Sequence, residues 1–212
     1  TIFLSSANER LVGTEFSYFP IGGPCPEKRE GGWGGSITGS GNVLYDIESV
    51  DGQVSLLGGQ HLLDLTQELP ADEHGIRCRV GSAVSTPAAG QLIANFDEIL
   101  FTVAPFFDSD CEQSGVDGLI ECYRSAFALL WQSGAPCKTL AAPLLGAGAR
   151  GHPVSLAARA AAEAVSCEWA ATAGHEYQYG IQTYPEGKQE HGEGTAATNT
   201  LRIAVQDDDV AD

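Results

Sequence analysis

The sequence contains no methionine and few basic residues, and these two shortages limit what the protein can be. Lys and Arg number 11 against 28 Asp and Glu, which gives a formal net charge of −17 at pH 7. Binding to a nucleic-acid backbone or an anionic membrane surface requires neutralisation by basic side chains. We therefore expect no direct nucleic-acid binding and no membrane attachment. Because the chain opens on an apolar run without methionine, we expect it to be a piece of a longer protein.

Long apolar runs and paired cysteines are also missing. No stretch approaches the roughly 18 apolar residues of a transmembrane helix, and no signal peptide stands at the start. The six cysteines are scattered without a CxxC pair. That spacing favours free thiols over a zinc site or a disulfide scaffold, although one disulfide stays open. These absences predict an intracellular protein, cytoplasmic or nuclear.

The histidines carry no spacing typical of a metal site. We therefore expect neither a metal nor a cofactor. The five histidines are His61, His74, His152, His175 and His191.

Apolar strand patterns alternate with helical patterns along the chain. Apolar residues recur at the helical period over residues 116–132, and shorter helical patterns cover residues 60–69 and 154–169. This alternation predicts an α/β fold, a three-layer α/β/α sandwich with a mixed central sheet. The predicted strands are residues 2–6, 77–84, 99–104, 139–145 and 201–205.

Two irregular segments interrupt this alternation. Residues 14–30 form a Gly- and Pro-rich insertion, a kind of long loop that is often functional. Residues 185–199 are polar and Gly-rich, so we expect a mobile loop there. No repeat or second domain is evident, and we interpret residues 1–212 as one domain.

The most informative segment runs from the predicted strand at 139–145 through GAGARGHP into a predicted helix. Gly146, Gly148 and Gly151 form the pattern GxGxxG, whose glycines leave the backbone open to a ligand. In this context, backbone N–H groups and a helix N-terminus can bind a phosphate. The segment predicts an anion-binding loop, with a tight connection that binds nothing as the alternative.

A second glycine-rich segment, GGWGG at residues 31–35, precedes Ser36 and Ile37. We expect a helix to begin within residues 35–41, so that the two loops hold the two phosphates of a pyrophosphate from opposite sides. A glycine linker without a ligand is the alternative.

Asn8 follows the first predicted strand. In open α/β sheets, ligands bind at the carboxyl ends of strands. An asparagine amide can both donate to and accept from a sugar hydroxyl. Asn8 is therefore a candidate ligand contact, and a turn-forming asparagine is the alternative.

Taken together, these segments resemble the macrodomain family. FLSSANERLVG is similar to the family pattern VNAAN-x-x-L-x-G, and GGWGGSITGSGN is similar to GGG-x-D-G-x-I-x-x-A-G. RCRVGSAVSTPAAGQLIANFDEILFTVAP resembles the family's G-x-A-x-x-T-x-G block, and residues 119–165 resemble its CYRSAL-like helix, strand and G-x-G-x-x-G-x-P loop. The resemblance covers about residues 1–12, 31–41, 77–168 and 200–209.

The resemblance implies a mixed sheet between helices and binding of ADP-ribose. It places Asn8 at the distal ribose, where it would orient the ribose or a water molecule as a catalytic residue. His152 would pack against the same ribose, or act as a base near neutral pH. The ligand-binding residues implied are Gly32, Gly34, Gly35, Ser36 and Ile37 in one loop, and Gly146, Ala147, Gly148, Ala149, Arg150, Gly151 and His152 in the other.

The sequence departs from the family pattern at one chemically important position. Gly34 stands where the family's hydrolases have Asp in GGG-x-D-G. Glu15 or Asp46 could supply the missing carboxylate if the insertion folds back over the site.

The resemblance implies an enzyme that binds ADP-ribose and hydrolyses its adducts, mono-ADP-ribosylated protein, O-acetyl-ADP-ribose or both. Its partners would be ADP-ribose and ADP-ribosylated proteins. A non-catalytic ADP-ribose reader is the first alternative, since Gly34 replaces the family's Asp. A Rossmann-type NAD oxidoreductase is the second, and a domain that has lost its ligand is the third.

Overall fold

A computed structural model of the chain describes residues 1–20, 23, 35–132, 139–171, 177–181 and 199–204. Its main sheet has six strands in the order β5-β6-β1-β7-β9-β8. Only the β5–β6 pair is antiparallel, so the sheet is mixed, as predicted. The strands are β1 (Ile2–Ser6), β5 (Ala83–Pro87), β6 (Glu98–Thr102), β7 (Thr139–Pro143), β8 (Tyr177–Ile181) and β9 (Asn199–Ala204).

Helices cover both faces of this sheet. Successive strand residues point to opposite sides, and both sides carry apolar side chains that pack against helices. Leu4 and Leu100 pack with α2 (Glu112–Gln132) and α3 (Val154–Ala171) on one face. Ile99 and Phe101 pack with α1 (Val50–Glu68) on the other face. The predicted three-layer α/β/α sandwich is therefore confirmed.

Three short strands form a second, smaller sheet that is not hydrogen-bonded to the main one. Its antiparallel strands, in the order β2-β4-β3, are β2 (Glu15–Phe16), β3 (Gly35–Ile37) and β4 (Val43–Tyr45). We call these three strands the cap sheet. Buried Phe16, Val43 and Tyr45 pack together and against Phe106 and Ala149 of the sandwich.

The cap sheet accounts for the largest errors of the sequence interpretation. A helix was expected to begin within residues 35–41, but Gly35–Ile37 is a strand and the chain turns into β4. The helix predicted at 60–69 begins at Val50 instead. The chain turns from β3 into β4 within a few residues, and strands this short carry no detectable hydrophobic periodicity.

The remaining differences concern boundaries. The strand predicted at 77–84 is Ala83–Pro87, and Val80 makes only an isolated bridge to Val103. Strands β2, β4 and β8 were not predicted. Gly32, Gly34, most of the insertion at 14–30 and the predicted mobile loop at 185–199, apart from Asn199, lie outside the described residues.

Candidate functional site

A cavity of about 520 Å³ lies at the carboxyl ends of β1 and β7. Ligand sites in open α/β sheets occupy this position, and the volume is within the usual range for small-molecule pockets. Three segments form its walls: the end of β1, the start of α1, and the chain between β7 and α3. The lining residues are Phe3, Ser6, Ala7, Tyr45, Glu48, Ser49, Val50, Asp51, residues 143–150 and Val154.

The glycine loop, residues 146–151, joins β7 to α3 and lines one wall. Gly146 has φ +84°, and a Cβ there would lie 2.8 Å from Leu119 Cδ2 and 2.9 Å from His152 Cδ2. Two turn bonds fix the loop, from Gly151 N to Gly148 O (2.8 Å) and from His152 N to Gly146 O (3.0 Å). Glycine is therefore required at 146 to fold the loop tightly onto α2.

The same loop presents unused donors to the cavity. The N–H groups of Gly148, Ala149 and Arg150 donate to no other group within the described part of the chain. A Cβ on Gly148 would meet no described atom within 4 Å. The predicted anion-binding loop therefore has donors and open space on its cavity side.

Arg150 places a cation in the wall of this acidic chain. Its side chain is only 8% exposed, its Nη2 donates to Ala7 O (3.3 Å), and its Cζ lies 4.2 Å from the Phe106 ring centroid. Its Nη1 is buried and has no hydrogen-bond partner among the described residues. A buried guanidinium nitrogen without a partner is costly, and an anion in the cavity would satisfy it.

The opposite wall is the N-terminus of α1. Ser49 caps this helix by accepting a hydrogen bond from Gly52 N at its Oγ (3.1 Å). The N–H groups of Val50 and Asp51 have no acceptor among the described residues. The cavity thus lies between a helix N-terminus and the glycine loop, both of which favour negative charge.

Asp51 brings a carboxyl group to this wall. The residue is half-buried, and burial raises its pKa to about 7, although the Arg150 guanidinium acts in the opposite direction. Near neutral pH the carboxyl therefore exchanges between its protonated and ionised forms. A group of this kind can accept or return a proton during a reaction.

A second cavity of about 190 Å³ adjoins the first, since Ala7 and Asp51 line both. Its other walls are the loop after β1, including Val12 and Gly13, and one face of α1, including Ser55. The Asp51 carboxyl thus lies at the junction of the two cavities.

Asn8 follows Ala7 in the chain, is only 1% exposed, and is outside the described lining of both cavities. Its Nδ2 donates to Gly13 O (2.6 Å), and its Oδ1 accepts from Val12 N (3.3 Å) and from the Tyr18 hydroxyl (2.9 Å). The predicted ribose contact is thus occupied by the protein's own groups in this conformation.

His152 is 3% exposed and lies beneath the glycine loop, outside the described set of cavity-lining residues. Its Nε2 donates to Pro105 O (3.1 Å), and its ring meets the edge of Phe107 at 5.5 Å between centroids. Burial lowers the pKa of His152 below its usual value. The imidazole is therefore neutral at pH 7 and supports the loop from behind.

The other candidates from the sequence lie in the cap sheet. Ser36 and Ile37 are exposed, and with Gly35 they fall outside the described lining of the cavity. Glu15 accepts from Asn42 Nδ2 (3.0 Å), and Asp46 is exposed at the turn before α1. Neither carboxyl lines the cavity within the described chain.

Sequence reasoning missed Asp51, an acid in the first turn of α1 that lines the same cavity as the glycine loop. A usable signal was present. Ser49 followed by Val50, Asp51 and Gly52 combines a helix N-cap with an acidic first turn, both typical of a helix start.

Two further properties concern metals and thiols. Within the described segments, no group of three or more His, Cys, Asp or Glu side chains is arranged to hold a metal ion. Cys78, Cys111, Cys122 and Cys167 are free thiols, and Cys25 and Cys137 lie outside the described residues.

None of the described helices combines the length and apolarity needed to cross a membrane.

Comparisons with known proteins agree with this architecture. The sequence profile of the family described as Macro domain matches residues 41–161. No similar sequence was found among curated proteins.

Similar solved structures have the same fold. A macrodomain from Oceanobacillus iheyensis, solved with ADP, is 18% identical with a TM-score of 0.61, over 98% of this chain and 77% of that one. A Trypanosoma brucei macrodomain in complex with ADP-ribose is 19% identical with a TM-score of 0.57, over 98% of this chain and 59% of that one.

Proposed function

Since this chain belongs to the macrodomain family, we propose that it binds ADP-ribose and hydrolyses ADP-ribose adducts. The substrates would be mono-ADP-ribosylated protein, O-acetyl-ADP-ribose or both. One observation carries the proposal: the Asp51 carboxyl and the Arg150 guanidinium line one cavity between a helix N-terminus and the glycine loop.

The binding half rests on donors matched to a diphosphate. The loop N–H groups at residues 148–150, those of Val50 and Asp51, and Arg150 Nη1 have no acceptor among the described residues. A diphosphate carries negative charge and many acceptor oxygens, which these donors would satisfy from two sides. The cavity volume suits a nucleotide-sized ligand.

The hydrolytic half rests on Asp51. Residues 50–54, Val-Asp-Gly-Gln-Val, fit the x-D-G-x-I part of the family pattern, and they lie inside the matched range 41–161. The glycine-rich segment at residues 31–35 lies outside that range. These two observations support Asp51, and not Gly34, as the counterpart of the family's Asp.

In this reaction the ionised Asp51 carboxylate accepts a proton from a water molecule. The water oxygen then attacks the carbon that carries the leaving group, and the protonated carboxyl can return the proton to the departing oxygen. A pKa near 7 suits both directions of transfer. His152 has no part in this scheme, because it is buried behind the loop and is not among the described residues that line the cavity.

The reader alternative loses its main argument once Asp51 takes the family's acidic position. The covered amide of Asn8 is the observation that still favours it, since this residue would have to be uncovered before it could meet a ribose. The Rossmann-type oxidoreductase alternative is not supported, because the chain belongs to the macrodomain family.

Calorimetric titration with ADP-ribose, ADP and NAD, followed by turnover assays, tests the proposal. We expect micromolar binding of ADP-ribose, weaker binding of NAD, and release of ADP-ribose from a mono-ADP-ribosylated protein or of acetate from O-acetyl-ADP-ribose. Binding without turnover on either adduct would establish the reader. Absence of ADP-ribose binding would overturn the proposal.

A further inference from the structure

Tyr18 is a cap residue whose hydroxyl reaches into the sandwich. It follows β2, lies half-buried, and its ring is held between Phe16 (4.6 Å between centroids) and the Arg10 guanidinium (4.3 Å from Cζ to centroid). Its hydroxyl donates to Asn8 Oδ1 (2.9 Å) and accepts from Arg10 N (3.3 Å). A longer contact of 3.4 Å joins it to Glu9 Oε2.

The hydroxyl keeps its proton at all ordinary pH values. Burial, assisted by the nearby Glu9 carboxylate, raises the pKa of Tyr18 above its usual value. The hydroxyl therefore stays a donor, and Asn8 Oδ1 at 2.9 Å is the nearer of its two acceptors, the other being Glu9 Oε2 at 3.4 Å. A sugar hydroxyl could donate to Asn8 Oδ1 in the same way.

Asn8 itself is held rigidly. Its amide bonds to Gly13 O and Val12 N fix the loop after β1. The same loop is tied to α1, where Leu11 O accepts from Thr66 Oγ1 (3.1 Å) and Gln67 Nε2 (2.9 Å). Tyr18 follows a strand of only two residues and contacts Asn8 through its hydroxyl, whereas Asn8 also bonds to two backbone groups; we therefore take Tyr18 as the partner that a ligand would displace.

Space for a ligand lies next to this contact. Ala7, Val12 and Gly13, which flank or bind Asn8, all line the second cavity, and Asp51 joins that cavity to the first. A sugar that extended from the first cavity past Asp51 would arrive at the wall behind which Asn8 and Tyr18 meet.

We propose that the Tyr18 hydroxyl occupies the place of a ligand's sugar hydroxyl on Asn8, and that Tyr18 thereby sets the affinity for ligands with a ribose beyond the diphosphate. Such ligands must displace the phenol, whereas ligands that end at the diphosphate leave it in place. The proposal rests on the proposed function, in that Asn8 receives the distal ribose.

The substitution Tyr18→Phe removes the competing donor and keeps the ring between Phe16 and Arg10. One hydrogen bond less to displace should tighten ADP-ribose binding by about three- to tenfold. Binding of ADP should stay unchanged, because ADP lacks the second ribose. Ser17→Ala, at the exposed neighbouring position in the cap, is the matched control and should change neither affinity.

Calorimetric titration of the full chain with both ligands measures this selectivity, and a thermal unfolding scan verifies that each variant is folded. The same substitution in an Asn8→Ala background should have no effect on ADP-ribose affinity if Tyr18 acts through Asn8. Unchanged or weaker ADP-ribose binding by Tyr18→Phe would overturn the inference, as would equal tightening for ADP.

These outcomes separate the inference from the proposed function. If the unmodified chain binds ADP-ribose and Tyr18→Phe binds it equally well, only the role of Tyr18 fails. If neither protein binds ADP-ribose or ADP, the proposed function fails and the inference fails with it.

Discussion

The two walls of the cavity differ in how the chain builds them. The glycine loop wall comes from one continuous stretch, in which β7 leads through residues 146–151 into α3. The other wall joins Ala7, at the end of β1, to Asp51, after the chain has formed the cap sheet between them. One wall is thus local and carries the Arg150 cation. The other is assembled from distant segments and carries the Asp51 carboxyl.

The two walls also differ in their chemistry. The local wall contains the Arg150 cation and backbone N–H groups, which under the proposed function would bind any phosphate-bearing ligand. The assembled wall offers groups whose state can change, because Asp51 titrates near neutral pH and Asn8 exchanges partners under our proposal. Substitutions on each wall should therefore separate turnover from binding.

The largest expected effect comes from Asp51→Asn, which removes the proton acceptor and keeps the size of the side chain. Turnover of ADP-ribose adducts should fall by about 10²- to 10⁴-fold, while ADP-ribose affinity should change only a few-fold. Steady-state assays and calorimetry on the same sample measure the two quantities. The control is Asp46→Asn, which changes an exposed acid just before the same helix. If Asp51→Asn turned over adducts as fast as the unmodified chain, Asp51 would not be the proton acceptor.

Arg150→Gln should produce the next largest effect, on binding. Loss of the guanidinium removes a charged hydrogen bond to the ligand and should weaken ADP and ADP-ribose alike, by roughly 10- to 100-fold. Arg159→Gln, on exposed α3, is the matched control for loss of one positive charge. A loss confined to ADP-ribose would mean that Arg150 meets the distal part of the ligand and not the diphosphate.

Gly146→Ala should destabilise the local wall. The new Cβ would clash with Leu119 and His152, and φ +84° is unfavourable for alanine, so the free energy of unfolding should fall by about 1–3 kcal/mol. Urea unfolding measures this cost. Gly148→Ala, which faces open space among the described atoms, should stay within about 0.5 kcal/mol of the unmodified chain. Equal losses from both variants would contradict the described packing of the loop.

The smallest expected effect is a shift in the pH profile. Because burial raises the pKa of Asp51 to about 7, its carboxyl is protonated below that pH, and kcat/KM should fall towards acid, by about tenfold per pH unit well below the midpoint. Arg150 lowers this pKa, so Arg150→Gln should move the midpoint to higher pH. A midpoint near pH 4, or no shift in the variant, would show that another group limits the rate.

Much of the sandwich could be predicted because its signals are local. The predicted strand at residues 2–6 matches β1. The continuous apolar runs Ile2–Leu4 in β1 and Ile99–Phe101 in β6 follow from burial of both sheet faces. The glycine loop was found for the same reason, since strand, turn and helix are adjacent in sequence. The cap sheet was missed because its strands of two and three residues are stabilised by pairing across the chain.

The sequence by itself determined the α/β alternation, the acidic character that disfavours nucleic acid, and the glycine loop between β7 and α3. Only the tertiary structure decided that Asp51 faces this loop, that His152 lies behind it, and that Tyr18 covers Asn8. Backbone conformation at a glycine turn is set by neighbouring residues, so it can be read locally. Which side chains meet across a cavity depends on how distant segments pack, and that is decided by the free energy of the whole fold.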